Sequence, residues 1–415
     1  MTRSGRGTVA ALLRAMFLVV WWASIVRAEA PPELELGGFD PVLQAGGDRY
    51  LGPRAGARYG EVLGFLLFNS SEYLLQGRLS TPWLRLLKLV AVDLALASWT
   101  VMVIHEVFGH SARGRELGVS GLRVRLGLPA PYVYVFDNSY LGLTGYLGTL
   151  SPVENQLFSL GGFEASAVAS DRLAESMVDW REVRLNPGDT YGLSRGLLLL
   201  TALSAGGGSR NNDVNAVLEV RAEVARQTGR AVAGPSVAGV GARALLNLVD
   251  PLLLQALWLD FEYLATGAMD RPLAWPLPVV PRFGYALVPF GERYVLDLLM
   301  PMAPGTGWLG FEVLSHERPD SALVRVDWPV RFLGTWTLAT KVGLVREVDP
   351  DRTTFLDRRP YGRVRGIWRS PSIRGWFGEL EAGWKTRGYE ADAPLGEGFL
   401  LGAYLGYRFA QAGGS

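Results

Sequence analysis

A chain of 415 residues is long enough for two or three domains, and its 41 basic and 40 acidic residues nearly cancel, which argues against a nucleic-acid or acidic partner. There is no cysteine, so disulfides and thiolate metal sites are excluded, and any transition metal must be held by His, Asp or Glu. A hydrophobic content of 49%, with 51 glycines and 13 tryptophans, fits membrane contact better than a cytosolic enzyme.

Residues 1–28 read as a signal peptide. Arg3, Arg6 and Arg14 carry the positive charge, "AMFLVVWWASIV" is the apolar core, and "VRAEA" offers small residues for cleavage after Ala28 or Ala30. The core is too short to span a bilayer; an uncleaved anchor is the alternative. Both readings take the chain to a bacterial cell envelope. The outer membrane is favoured, with the candidate site facing the periplasm.

Residues 31–60 are rich in Gly, Pro and Arg and read as an irregular arm, and 61–77 has helical periodicity. "WLRLLKLVAVDLALASWTVMVI" (83–104) is long enough to cross a bilayer. Arg85, Lys88 and Asp93 are costly in such a span, so a buried core helix stands beside that reading. The period then changes to two, and 122–147 reads as short strands. Helices follow at 160–178, 194–205 and 211–229, the last with Asn212 or Asp213 as cap and Gly229 as stop. The apolar run 241–267 breaks at Asp250-Pro251.

A proline-rich stretch (272–281) reads as the main boundary. Beyond it, strands of roughly ten residues alternate apolar and polar side chains. Trp336, Leu338, Val342 and Leu344 share one face, while Thr335, Thr337 and Lys341 share the other. The spacing matches an antiparallel β domain, either barrel or partial barrel. The pattern leaves open whether its apolar face meets lipid or a core, and lipid is favoured. The expected fold is therefore α+β. A mainly helical, membrane-associated domain (29–271) carries a small β insertion (122–147), and an antiparallel β domain (282–415) follows.

Two of the three histidines lie in "VMVIHEVFGHSARGREL" (101–117), as His105-Glu106-Val107-Phe108-Gly109-His110. On a regular helix, residues five apart point about 140° away from each other, too far to share an ion. One π-turn brings them back to one face, and Gly109 eases such a distortion. Glu106 is then placed to act as base. The six residues "HEVFGH" match HExxGH, and in them the chain resembles the dipeptidyl-peptidase III family of zinc metallopeptidases. The resemblance implies zinc on His105 and His110, with Glu106 as general base, and a glutamate from a second motif as further ligand. It covers only these residues. In the nearest counterpart of the second motif, "LEVRAE" (218–223), Leu218 replaces the first glutamate. Glu164, in "GGFEAS" (161–166), is preferred to Glu219 as third ligand, because a carboxylate on a buried-looking face needs a partner.

An apolar helix running into "HE" is also similar in architecture to site-2-type membrane metalloproteases, with Asp250 in "LVDP" as a weak counterpart of their later aspartate. "SHERPD", with His316 and Glu317, reads as a turn. "GGGSRNND" reads as a helix cap, without the ligand spacing of a calcium loop. The sequence thus suggests an exported, membrane-associated zinc hydrolase acting on a peptide or protein. The competing reading is a noncatalytic envelope protein with a structural metal or none.

Overall fold

The computed structural model describes most of 79–407, together with 52–60, three positions between 61 and 78, and the strands β1 (Val42–Gln44) and β2 (Gly47–Arg49); the breaks fall at 133–141, 207–211, 229–234 and several short connections. The signal segment, most of the 61–77 helix, all but the first residue of the strand expected at "YVYVFD" (132–137), and His316 with Glu317 lie outside the described residues.

The chain is α+β: a helical N-terminal region and an eight-stranded antiparallel sheet. Helix α1 (Pro82–Glu116) opens with Thr81 as N-cap and Pro82 in the first turn. It contains two π-turns, Leu89–Asp93 and Ile104–His110. After it come the hairpin β3 (Ser120–Leu126) and β4 (Gly142–Leu147), then α2 (Pro152–Trp180). The sequence pattern places the start of α2 about eight residues late. Its true start is a capping box, in which Ser151 receives the Glu154 N–H and the Glu154 carboxylate receives the Ser151 N–H. A short strand, β5 (Glu182–Arg184), leads into α3 (Leu185–Gly206), so the 194–205 helix begins nine residues earlier than the apolar run suggests. Helices α4 (Asp213–Thr228), α5 (Val237–Ala244) and α6 (Pro251–Thr266) complete the helical region, and Asp250 caps α6 at the predicted break. Strand β6 (Asp270–Pro272) pairs with β5.

The main sheet is a meander: β7 (Val280–Val288), β8 (Gly291–Pro301), β9 (Thr306–Ser315), β10 (Pro319–Arg331), β11 (Thr335–Val348), β12 (Phe355–Arg369), β13 (Trp376–Lys385) and β14 (Gly398–Tyr407). Each strand pairs with the next, and β7 and β14 remain the two ends of the order. The expectation of a barrel or partial barrel is corrected in its closed form: among the described residues this sheet is open, with helices packed against it rather than strands closing it. The proline-rich stretch joins two parts that share a core. Met177 of α2, Tyr191 of α3 and Leu259 of α6 pack with Val280, Leu299 and Trp308 of β7 to β9.

The polarity of the sheet is inverted relative to a water-soluble one. One cross-strand row reads Arg282, Asp297, Gly310, Arg325, Lys341, Arg363 and Lys385, and it faces the helices. Arg282, Arg363 and Lys385 are at most 1% exposed. Charges that deep require partners. Arg282 pairs with Asp171 of α2 at 3.1 Å, and Lys341 and Arg363 pair with Glu312 and Glu390 at 2.5 and 2.7 Å. The opposite face shows Val342, Val364 and Phe399 at 54, 53 and 64% exposure.

Candidate metal centre

The Ile104–His110 π-turn does what the spacing of the histidines demands. It adds one residue to a helical turn and puts both rings on one side of α1. The ring centroids lie 4.7 Å apart at 81°, and the two Nε2 atoms are 3.1 Å apart. The carbonyl of Glu106 inside the turn accepts from Ser111 Oγ at 2.9 Å, which helps to satisfy a group that the π geometry displaces.

Close helix packing sets the depth of the site. A Cβ on Gly109 would meet the Gly161 carbonyl oxygen at 2.5 Å, and one on Gly162 would meet the His105 ring at 2.3 Å. Only glycines allow α1 and α2 to approach this way. Phe163 then sits edge-on to His105, with ring centroids 5.5 Å apart.

The third donor is Asp213. Asn212 caps α4 by accepting from the N–H groups of Val214 and Asn215, at 3.0 and 3.3 Å. This frees the neighbouring carboxylate, and Asp213 Oδ2 lies 3.0 Å from His105 Nε2 and 3.2 Å from His110 Nε2. The three atoms form a nearly equilateral triangle. Ligand atoms held tetrahedrally at ~2.0–2.1 Å from a zinc-sized ion would be separated by roughly 3.3 Å. These three residues could hold a metal ion.

The tautomer argues the same way. His110 Nδ1–H donates to the Phe158 carbonyl at 2.7 Å, so in the neutral ring the lone pair of Nε2 points at His105 and Asp213. An imidazole lone pair and a carboxylate oxygen that converge this closely need a cation between them, either a proton or a metal. Asp213 suits the role. Burial alone would raise its pKa, but the two imidazoles hold it well below the ordinary carboxylate range, so it is anionic at neutral pH. Its side chain keeps 30% exposure while those of His105 and His110 keep 7 and 5%, which leaves the carboxylate side as the approach from solvent. Among the described residues His105 Nδ1 has no hydrogen-bond partner.

Glu106 is buried beside the first histidine, and its Oε2 accepts from Thr144 Oγ1 of β4 at 2.6 Å. Gly142, on the same strand, makes room for it: a Cβ there would lie 2.6 Å from Glu106 Oε1. The hairpin that the period-two pattern suggested is therefore what orients this carboxylate.

Glu164 is not part of the group, which corrects the expectation of it as third ligand. It lies two residues beyond Gly162, roughly 200° around the helix from the histidine-facing side. Both of its oxygens are engaged elsewhere, with Arg113 Nε at 2.6 Å and Tyr389 OH at 2.5 Å. The inference that this buried carboxylate needs a partner holds, but the partner is a guanidinium. Glu219 is exposed on α4 and takes no part either. Asp250 accepts from Tyr191 OH and caps α6. The polar cavity between α2 and the inner sheet face, lined by Asp171, Glu175, Arg282 and Arg325, does not include the histidines or Asp213.

Fold and site together define an α+β protein with a candidate His-His-Asp metal centre on a π-turn. No family model matches the chain, and neither a curated protein nor a solved structure shows significant similarity to it.

Proposed function

We propose that this chain is a metal-dependent hydrolase of the peptidase type, with zinc on His105, His110 and Asp213 and Glu106 as general base. The observation that carries this reading is the triangle of donor atoms 3.0 to 3.2 Å apart, next in sequence to a buried carboxylate held by Thr144. Two imidazoles and one carboxylate form a donor set suited to a borderline-soft ion such as zinc. Three protein ligands leave a fourth position open, as catalytic sites require, whereas structural zinc is closed by four. A zinc ion in this position supplies Lewis acidity, which acidifies water and polarises a carbonyl.

The residues of the chain do the rest. Glu106 takes the proton of the attacking water and can return it to the departing amine. The Thr144 hydroxyl fixes one oxygen of the Glu106 carboxylate. His110 is fixed in its tautomer by the Phe158 carbonyl, and Asp213 brings the negative charge that offsets the ion. The HExxGH pattern supports a peptide bond as the target, since the dipeptidyl-peptidase III family, which the chain resembles in these six residues, uses the corresponding histidines and glutamate in these roles.

The experiment pairs metal analysis with hydrolysis of a mixed peptide library by the purified full chain and its Glu106→Gln variant. The reading expects about one zinc per chain in both, and a rate lower by roughly 10²–10⁴ in the variant. Zinc in both proteins without hydrolysis in either would favour a structural metal in a noncatalytic envelope protein. Absence of metal from both would end the proposal.

A further inference from the structure

The helices repeat the inverted polarity of the sheet. In the first turns of α1, Trp83 and Leu87 are 66 and 53% exposed, whereas Lys88 and Asp93 are buried and joined at 2.6 Å. Helix α6 buries Leu252, Ala256 and Leu259, yet Leu254, Leu257, Trp258 and Phe261 form a second apolar stripe at 60, 47, 57 and 68% exposure. A helix that is apolar all round is at home in a protein core or in lipid, and α6 has core on one side only. Leu200 and Leu203 of α3 are likewise exposed, at 52 and 66%. Tyr191 of α3 and Leu259 of α6 pack with Val280, Leu299 and Trp308 of the sheet, so the open stripes of these helices face away from the core they share with it.

The free edge of β7 is treated in a matching way. The Asn247 side chain donates to the Tyr285 carbonyl at 3.0 Å and accepts from the Tyr285 N–H at 2.7 Å. Arg195 donates to the Phe283 carbonyl, and Arg221 donates to Val288 and Gly291 carbonyls. Side chains from the helical layer thus stand in for a ninth strand. An open sheet edge is unsustainable in hydrocarbon unless its backbone groups are satisfied in this manner. The eight strands run 9 to 15 residues, against the ~9–11 a tilted strand needs to cross a bilayer.

We propose that the outer face of the sheet and the open stripes of α1, α3 and α6 form one surface covered by lipid acyl chains. Helices and strands together then wall a charged interior, and the helices close the gap that the open sheet leaves. Lipid is the occupant because the exposed apolar residues are spread over three helices and the sheet, from Trp83 and Leu203 to Phe261, Val342 and Phe399, rather than gathered in one patch of the size a docked partner covers. A second copy pairing through β7 would find that edge already bonded. This inference is independent of the metal.

The absence of cysteine makes the test direct. Val342→Cys on the sheet, Leu257→Cys on α6 and Arg226→Cys on α4 each introduce one thiol, at positions 54, 47 and (by side chain) 75% exposed. Each variant carries a nitroxide label in the full chain reconstituted into phosphatidylcholine vesicles, after circular dichroism shows the wild-type fold. Accessibility to oxygen and to a water-soluble nickel chelate is read by electron paramagnetic resonance. The proposal expects oxygen access with nickel exclusion at 342 and 257, and free nickel access at 226. Nickel access at 257 alone would overturn the joint wall. Nickel access at both, or exclusion of both reagents at both, would overturn lipid as the occupant, the latter in favour of protein.

Discussion

Helix α1 contains two π-turns, and each joins side chains five residues apart, but with opposite chemical results. In the first, Lys88 reaches both oxygens of Asp93, at 2.6 and 2.7 Å, and opposite charges meet. In the second, His105 and His110 meet with their Nε2 atoms 3.1 Å apart and call on Asp213 from another helix. The same backbone device sets an ion pair at one site and, at the other, brings together donor atoms that converge on a place for a proton or a metal ion. A π-turn is therefore only a means of alignment; the donor and acceptor count of the aligned groups decides whether a ligand is needed.

The largest expected effect separates the two turns directly. His110→Ala or Asp213→Ala removes a ligand, so bound zinc is expected to fall from about one per chain to near zero by metal analysis, with hydrolysis lost. Lys88→Met removes the cation bonded to a buried Asp93, a change that costs about 3–5 kcal/mol in denaturant unfolding, while zinc content stays unchanged. The double variant Lys88→Met with Asp93→Leu is expected to recover most of that stability. If Lys88→Met abolished zinc binding instead, the two turns would be one coupled site and the contrast would fail.

Smaller changes sharpen the second turn. Gly162→Ala drives a methyl into the His105 ring, and overpacking of this kind costs about 1–3 kcal/mol. Zinc titration is expected to show weaker affinity for that variant. Thr144→Val deletes the hydroxyl bonded to the Glu106 carboxylate and is expected to lower kcat roughly ten- to a hundredfold with zinc affinity unchanged, since a hydrogen bond to a charged group is worth about 1.5–3 kcal/mol. A fall in zinc affinity as large as the fall in rate would mean that Thr144 supports the metal and not the base.

Much of this was legible in the residues. The i, i+5 spacing of the histidines with Gly109 between them was enough to expect a π-turn, because no regular helix aligns such a pair. The alternation in 335–344 marked a strand with one polar and one apolar face. Its polar face turns inward, where Lys341 meets Glu312 of β9 at 2.5 Å and Glu390 at 3.3 Å. Asp213 was not legible as a ligand. An acid in the first turn of a helix ordinarily answers the helix dipole, and the one hint was redundancy, two capping residues where a helix uses one. Glu164 misled for the converse reason. Burial shows that a carboxylate has a partner, but nothing local distinguishes Arg113 from a metal. Closure of the sheet was equally out of reach, because strand patterning does not record whether the last neighbour is a strand or a helix.

The central claim is that His105, His110 and Asp213 share one metal ion. The zinc K-edge absorption spectrum of the zinc-loaded full chain tests it most directly. The account predicts two imidazoles and a carboxylate oxygen in the first shell, with loss of that shell in Asp213→Ala. A zinc shell without imidazole, or one that Asp213→Ala leaves unaltered, would contradict it.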